Sequence, residues 1–269
     1  MPESLAEDRE RARAVTGEEL ASLLHHPSAD VLLALLDNPA LDESHLCLLL
    51  ERKDLPGEVL EEVGKRKPLL KNYRIKRSLC FHPRAPRLVT LRLLRDLYLM
   101  DLVQLTLSPG VPAELKRNGE EQLLARLAQI PLGQKITLGR RGPARVAGAL
   151  LAEGHPQVLA VVLDNPYLTE AQILRVLSRE RLPGPVVPAI IRHRKWSISY
   201  NVRIALLRQP SAPLSTILSF LPQLTLSDLR DLSAPGIVPE HLRRYIQAEV
   251  QRRLRSGASP GNSPASKGQ

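Results

Sequence analysis

The sequence predicts an all-α fold: an α-solenoid of short antiparallel helices built from two duplicated lobes. Three observations predict it. The chain repeats itself at an offset of 127 residues. Asp37-Asn38-Pro39 returns as Asp164-Asn165-Pro166, Leu55-Pro56-Gly57 as Leu182-Pro183-Gly184, Tyr73 as Tyr200, Asp101-Leu102 as Asp228-Leu229 and Arg126-Leu127 as Arg253-Leu254. No gap is needed from Asp37 to Leu127, and roughly a third of the paired positions are identical, which marks an internal duplication. Aromatic residues make up only 3% of the 269 residues, so the core is Leu, Val, Ile and Ala, which suits close-set helices better than a sandwich of strands. The 23 prolines fall between apolar stripes, at helix starts and turns rather than inside helices.

Taken in order, residues 3–14 are charged, with Leu5 their only large aliphatic side chain, and predict a frayed helix or a loose segment spanning 1–15. The first lobe is expected over 16–130. Thr16 with Glu19 has capping-box spacing for a helix with Leu20, Leu23 and Leu24 on its buried face. A helix follows from Ala29 to Leu36 and stops at Asp37-Asn38-Pro39. Asp42 caps the next, which carries Leu46, Leu49 and Leu50. Pro56 opens a helix with Val59, Leu60 and Val63. Another covers Leu69 to Phe81. Pro86 opens one with Leu88, Leu91, Leu94 and Leu97. A short helix runs from Tyr98 to Leu107, and Pro112 starts a longer one with Leu115, Leu123, Leu124 and Leu127. Each buries one stripe and needs a neighbour to cover it. Residues 131–255 form linker helices, Gln134 to Gly139 and Ala144 to Ala152, and the second lobe. The Ser-, Gly- and Pro-rich tail, 256–269, is expected to be disordered.

Within this pattern, Val202-Arg203-Ile204-Ala205-Leu206-Leu207-Arg208-Gln209-Pro210-Ser211-Ala212-Pro213 resembles the repeat core of the leucine-rich-repeat-variant and HEAT-like families. There a Val-Arg pair opens an apolar helix, and an Asn-Pro-x-x-Pro turn leads into the next. Gln209 stands here for the Asn. Ile75-Lys76 through His82-Pro83-Arg84-Ala85-Pro86 is a weaker version. The resemblance implies stacked helix pairs over most of 28–254. A repeat-variant family can carry a cysteine-ligated iron–sulfur cluster, but Cys47 and Cys80 are the only cysteines, so the cluster is not carried over. Some HEAT-like solenoids are DNA glycosylases.

Two cysteines without a CxxC pair favour a reducing compartment, and the cytoplasm is expected. No apolar run is long enough to span a membrane. The sequence has no HExxH, GxGxxG, Walker or GxSxG motif, so no metal site, cofactor or catalytic residue is assigned and the expectation leans away from an enzyme. The repeated Asp37 and Asp164 are expected to accept backbone N–H bonds in their turns, and Pro56 and Pro183 to occupy first-turn helix positions. Asp101 and Asp228 are expected to cap a helix or pair with an Arg, and Tyr73 and Tyr200 to sit between helices.

Charge is the bulk feature with functional content: 38 Lys and Arg against 28 Asp and Glu, a formal +10. No acid occurs from Gly64 to Arg95 or from Arg181 to Ser227. A row of cations along the solenoid, made of Arg66, Lys67, Lys71, Arg74, Arg140, Arg141, Arg194, Lys195 and Arg203 with Trp196 for stacking, would suit an acidic partner or a phosphate backbone. The same cations would also sit well at helix C-termini for the dipole alone, and Trp196 would equally fill a core position. A protein-interaction scaffold is expected first, as the commonest use of such repeats. Sequence-independent DNA or RNA binding comes second, and a base-excision enzyme third.

Overall fold

The computed structural model of the protein describes residues 2–257, with side chains from 5 to 255. Among the described residues there are eighteen α-helices, three 3-10 turns and no strand. No described helix is long and apolar enough to cross a membrane. The chain divides into two compact units between Ile130 and Pro131.

The first unit holds α1 (Pro2–Ala14), α2 (Glu18–Leu23), α3 (Ala29–Leu35), α4 (Glu43–Glu51), α5 (Gly57–Lys65), α6 (Tyr73–Phe81), α7 (Arg87–Leu93), α8 (Leu99–Leu107) and α9 (Ala113–Arg126). The second holds α10 (Leu132–Arg141), α11 (Ala144–Glu153), α12 (Pro156–Val162), α13 (Glu170–Leu177), α14 (Val186–Arg192), α15 (Tyr200–Leu207), α16 (Leu214–Phe220), α17 (Leu226–Leu232) and α18 (Glu240–Gly257). Within each unit helices pack on the next but one. In the first unit α1 meets α3, α3 meets α5, α4 meets α6, α6 meets α8 and α7 meets α9. In the second, α10 meets α12, α11 meets α13, α12 meets α14 and α13 meets α15. Consecutive helices also pack, most closely α8 on α9 and α17 on α18. Helices this short are marginal alone, so neighbours of both kinds cover their apolar stripes.

Several boundaries differ from expectation for local reasons. Residues 2–14 are helical, the first of the two forms expected for them. They form α1, which buries Ala12 against its neighbours and packs on α3. Thr16 does not cap α2. Gly17, at φ +68°, takes the N-cap with no side-chain bond. The helix expected from Leu69 to Phe81 breaks at Asn72, whose side chain accepts from the Arg74 N–H at 2.7 Å and starts α6 anew after a 3-10 turn. Leu88 is 82% exposed, because α7 turns Val89, Thr90 and Leu93 inward instead. Pro183 lies before α14, which opens after Pro185. The tail from residue 258, expected to be disordered, lies outside the described residues, while α18 extends to Gly257.

The turns show how successive helices are tied. It is Asn38, not Asp37, that organises its turn. Its Oδ1 accepts from the Ala40 N–H and its Nδ2 donates to the carbonyls of Ala12 and Val15, each at 2.8 Å. Asn165 repeats this with Tyr167 N–H and with the carbonyls of Gly139 and Gly142 at 2.9 and 3.0 Å. Asp37 instead pairs with Arg66 at 2.6 Å, and Asp164 meets His193 Nε2 at 2.9 Å. Tyr73 and Tyr200 do sit between helices. Each hydroxyl donates to the repeated aspartate, Asp101 or Asp228, and accepts from a backbone N–H, of Tyr98 or Thr225, at 3.0 Å.

A candidate polyanion-binding surface on the second unit

Helix C-termini leave carbonyls without an intrahelical donor. In the first unit basic side chains from a later helix fill many of them. Arg52 donates to the Leu24 and His26 carbonyls beyond α2. Arg66 donates to Leu36, Arg92 to Gly64, and Arg126 to Leu97 and Arg95, both at 2.7 Å. Lys76 pairs with Asp96 at 2.6 Å and Arg77 with Asp101 at 2.8 Å. These cations bolt one helix to another.

The second unit meets several of the same needs with neutral groups. The carbonyl of Leu163, matching Leu36, is taken by the Trp196 indole N–H at 2.8 Å. His82 Nε2 meets the Arg52 carbonyl at 2.6 Å in the first unit, and the matching Gln209 donates to the Leu177 carbonyl in the second. Helix α11 ends on Gly154 at φ +76°, the left-handed turn that ordinarily satisfies the last carbonyls. A Cβ there would come within 2.5 Å of Pro183. Arg179, which matches Arg52, is exposed and makes no bond to that helix end among the described residues.

The nominated residues divide on this basis. Arg66 is half-buried between Asp37 and Glu62, with a third nitrogen on the Leu36 carbonyl, and cannot also serve a ligand. Arg203 donates to the Ser197 carbonyl and to Gln223, and lies over the Phe220 ring. Trp196 is 4% exposed, so its ring has no free face for a base; the packing alternative is the one its surroundings fit. Lys195 Nζ stands 4.2 Å from the centroid of that ring and is exposed. Lys67 and Lys71 lie on the α5–α6 connection and Arg74 in the first turn of α6, all exposed and without an ion pair among the described residues. Arg140 and Arg141 end α10, and Arg194 stands beside Lys195 on the α14–α15 connection, likewise exposed and unpaired.

The division of charge between the units could have been read from the sequence once the boundary was known. Residues 1–130 carry 19 Lys and Arg against 20 Asp and Glu. Residues 131–269 carry 19 against 8, a formal +11. The whole positive excess therefore belongs to the second unit. Arg175, Arg179, Arg181, Arg192, Arg208 and Arg230 add to its exposed cations. None of these six is among the expected site residues, although Arg181, Arg192 and Arg208 lie in the acid-free stretch from Arg181 to Ser227.

Among the described residues no three His, Cys, Asp or Glu side chains gather as metal ligands. Cys47 and Cys80 are free thiols. Burial pushes Cys47 up, and pushes the more deeply buried Cys80 up to about 12, so neither is an activated nucleophile. Compared with known proteins, the chain matches no family model, no curated protein and no solved structure.

Proposed function

We propose that this protein is a non-enzymatic binding module, an α-solenoid of HEAT-like character built from two duplicated lobes, and that its second lobe binds nucleic acid through the phosphate backbone without sequence preference. The recurrence of six helix starts at an offset of 127 residues supports the duplication: Ala29 and Pro156, Glu43 and Glu170, Tyr73 and Tyr200, Arg87 and Leu214, Leu99 and Leu226, Ala113 and Glu240. The next-but-one packing supports the solenoid. The observation that carries the function is the charge of the second unit, +11 with Arg140, Arg141, Arg179, Arg194 and Arg208 exposed and without an ion pair among the described residues, against a first unit close to neutral. Free guanidinium groups on an ordered surface are what counterion release from a polyphosphate requires. The protein-interaction scaffold remains the second reading. It is favoured by large apolar side chains left exposed, Leu88 at 82% and Ile198 at 69%. Two free thiols suit a cytoplasmic setting.

The test is a fluorescence-anisotropy titration of the full chain with labelled nucleic acid at several salt concentrations. Affinity is expected to fall steeply, by orders of magnitude from about 50 to about 200 mM salt. Reversing Arg140, Arg141, Arg194 and Lys195 to Glu should abolish binding. Reversing Lys67, Lys71 and Arg74 should change it by less than about threefold, a small share of the electrostatic total. Absence of binding at low salt, or equal loss from the two sets, would remove this function and leave the scaffold.

A further inference from the structure

The second unit carries a groove of about 750 Å³ between α13 and α15, inside the size range of small-ligand clefts. Its two halves differ in chemistry. Leu174, Ile204 and Ala205 give an apolar floor. Arg179 and Arg208 line the end at which both helices terminate, and both are exposed without an ion pair among the described residues. Asn201 and Glu180 complete the polar edge.

The matching positions of the first unit cannot do the same work. Arg179 corresponds to Arg52, which is engaged by the Leu24 and His26 carbonyls and by Asp54. Arg208 corresponds to Phe81, and Ile204 to Arg77, whose guanidinium lies 5.0 Å from the Phe81 ring centroid and is paired with Asp101. One copy thus fills this space with its own cation and ring. The other leaves an apolar floor beneath two unengaged cations.

Resting on the nucleic-acid reading above, we propose that the α13–α15 groove seats one nucleotide of a single strand, with the phosphate between Arg179 and Arg208 and the base against Leu174, Ile204 and Ala205. Two guanidinium groups match a phosphate by paired N–H donors. The apolar floor calls for the flat face of an unstacked base, which a single strand offers and a duplex keeps inside its stack. Asn201 supplies donor and acceptor for the edge of that base. Glu180, at the rim, disfavours a further phosphate on its side and so sets the direction in which the strand leaves. An acidic peptide would use the cations but offers no ring for the floor.

The test compares a mixed-sequence 12-nucleotide single strand, a duplex of the same length and a poly-glutamate peptide, each titrated against the full-length protein. The single strand should bind tighter than the duplex, and poly-glutamate weakest. In Arg179→Glu/Arg208→Glu, single-strand affinity should fall about tenfold or more and the salt slope should flatten by about 1.4, two contacts at roughly 0.7 each. Arg194→Glu/Lys195→Glu carries the same charge change and should weaken single strand and duplex alike, keeping their ratio. Arg179→Gln/Arg208→Gln, which adds no negative charge, should lose the single-strand preference while its circular-dichroism melt stays that of the parent. If the groove variants bind the single strand like the parent while Arg194→Glu/Lys195→Glu does not, the groove is wrong and the basic second unit stands. If duplex or poly-glutamate binds as tightly as the single strand, the nucleotide seat is overturned. If no nucleic acid binds at all, the groove and the broader function fall together.

Discussion

Asn38 and Asn165 are the residues on which each unit's N-terminal end depends. Each is almost wholly buried, and each donates from one amide nitrogen to two carbonyls beyond twenty residues away. A buried carbonyl that loses its donor keeps the full desolvation penalty. Replacing Asn165 with Leu, close in volume but without donors, should therefore cost about 1–3 kcal/mol for each carbonyl orphaned. Urea unfolding would register this as a lower midpoint at unchanged m-value; a midpoint equal to the parent's would refute the bolt. The same reasoning explains why Trp196 was a poor candidate for stacking. Its N–H is needed by Leu163, and that need pulls the ring inside.

For whole helices, the seating of α18 is the clearest case. Arg253 donates to the carbonyls of Leu224 and Leu221 at 2.6 and 2.8 Å, holding α18 on the 3-10 turn that follows α16. Glu249, one turn earlier, hydrogen-bonds Arg252 and Arg253, each at 2.7 Å, and so orients the second of them. The Arg252 bond, followed by that of Arg253, lowers the Glu249 carboxyl to about 2 from its ordinary 4.5. The folded state thus binds this proton more weakly than the unfolded chain. The stability it contributes is present above about pH 4.5 and is lost as pH falls toward 2. Acid unfolding of Glu249→Gln should accordingly be flatter than the parent's over that window; parallel curves would show that the pair contributes nothing. Leu88 belongs to this scale too. Its spacing with Leu91 predicted a buried stripe, but α7 has only two turns, and packing chose the face one residue on.

For the molecule as a whole, each unit holds nine helices among the described residues, and the bonds of the Asp-Asn-Pro turns and of Tyr73 and Tyr200 occur in both. An experimental structure should superimpose residues 29–126 on 156–253 at a constant offset of 127, with the same helix in each slot. A shift in register between the copies would contradict the duplication. The two copies nonetheless differ in what their cations do. In the first, Arg52, Arg66, Arg92 and Arg126 close helix ends. In the second, Arg253 keeps the role of Arg126, but Trp196 and Gln209 supply donors elsewhere, and Arg179 and Arg194 are left at the surface.

Helix order was legible in the chain because apolar spacing and proline punctuation act within a few residues, where local sterics dominate. The duplication was legible because it is a property of the text alone. Which arginine is free was not legible. Arg66 and Arg194 lie in equally acid-free stretches. Whether such a side chain meets water, or a carbonyl some thirty residues earlier, depends on which helix end the packing brings beside it. That juxtaposition exists only in the folded molecule.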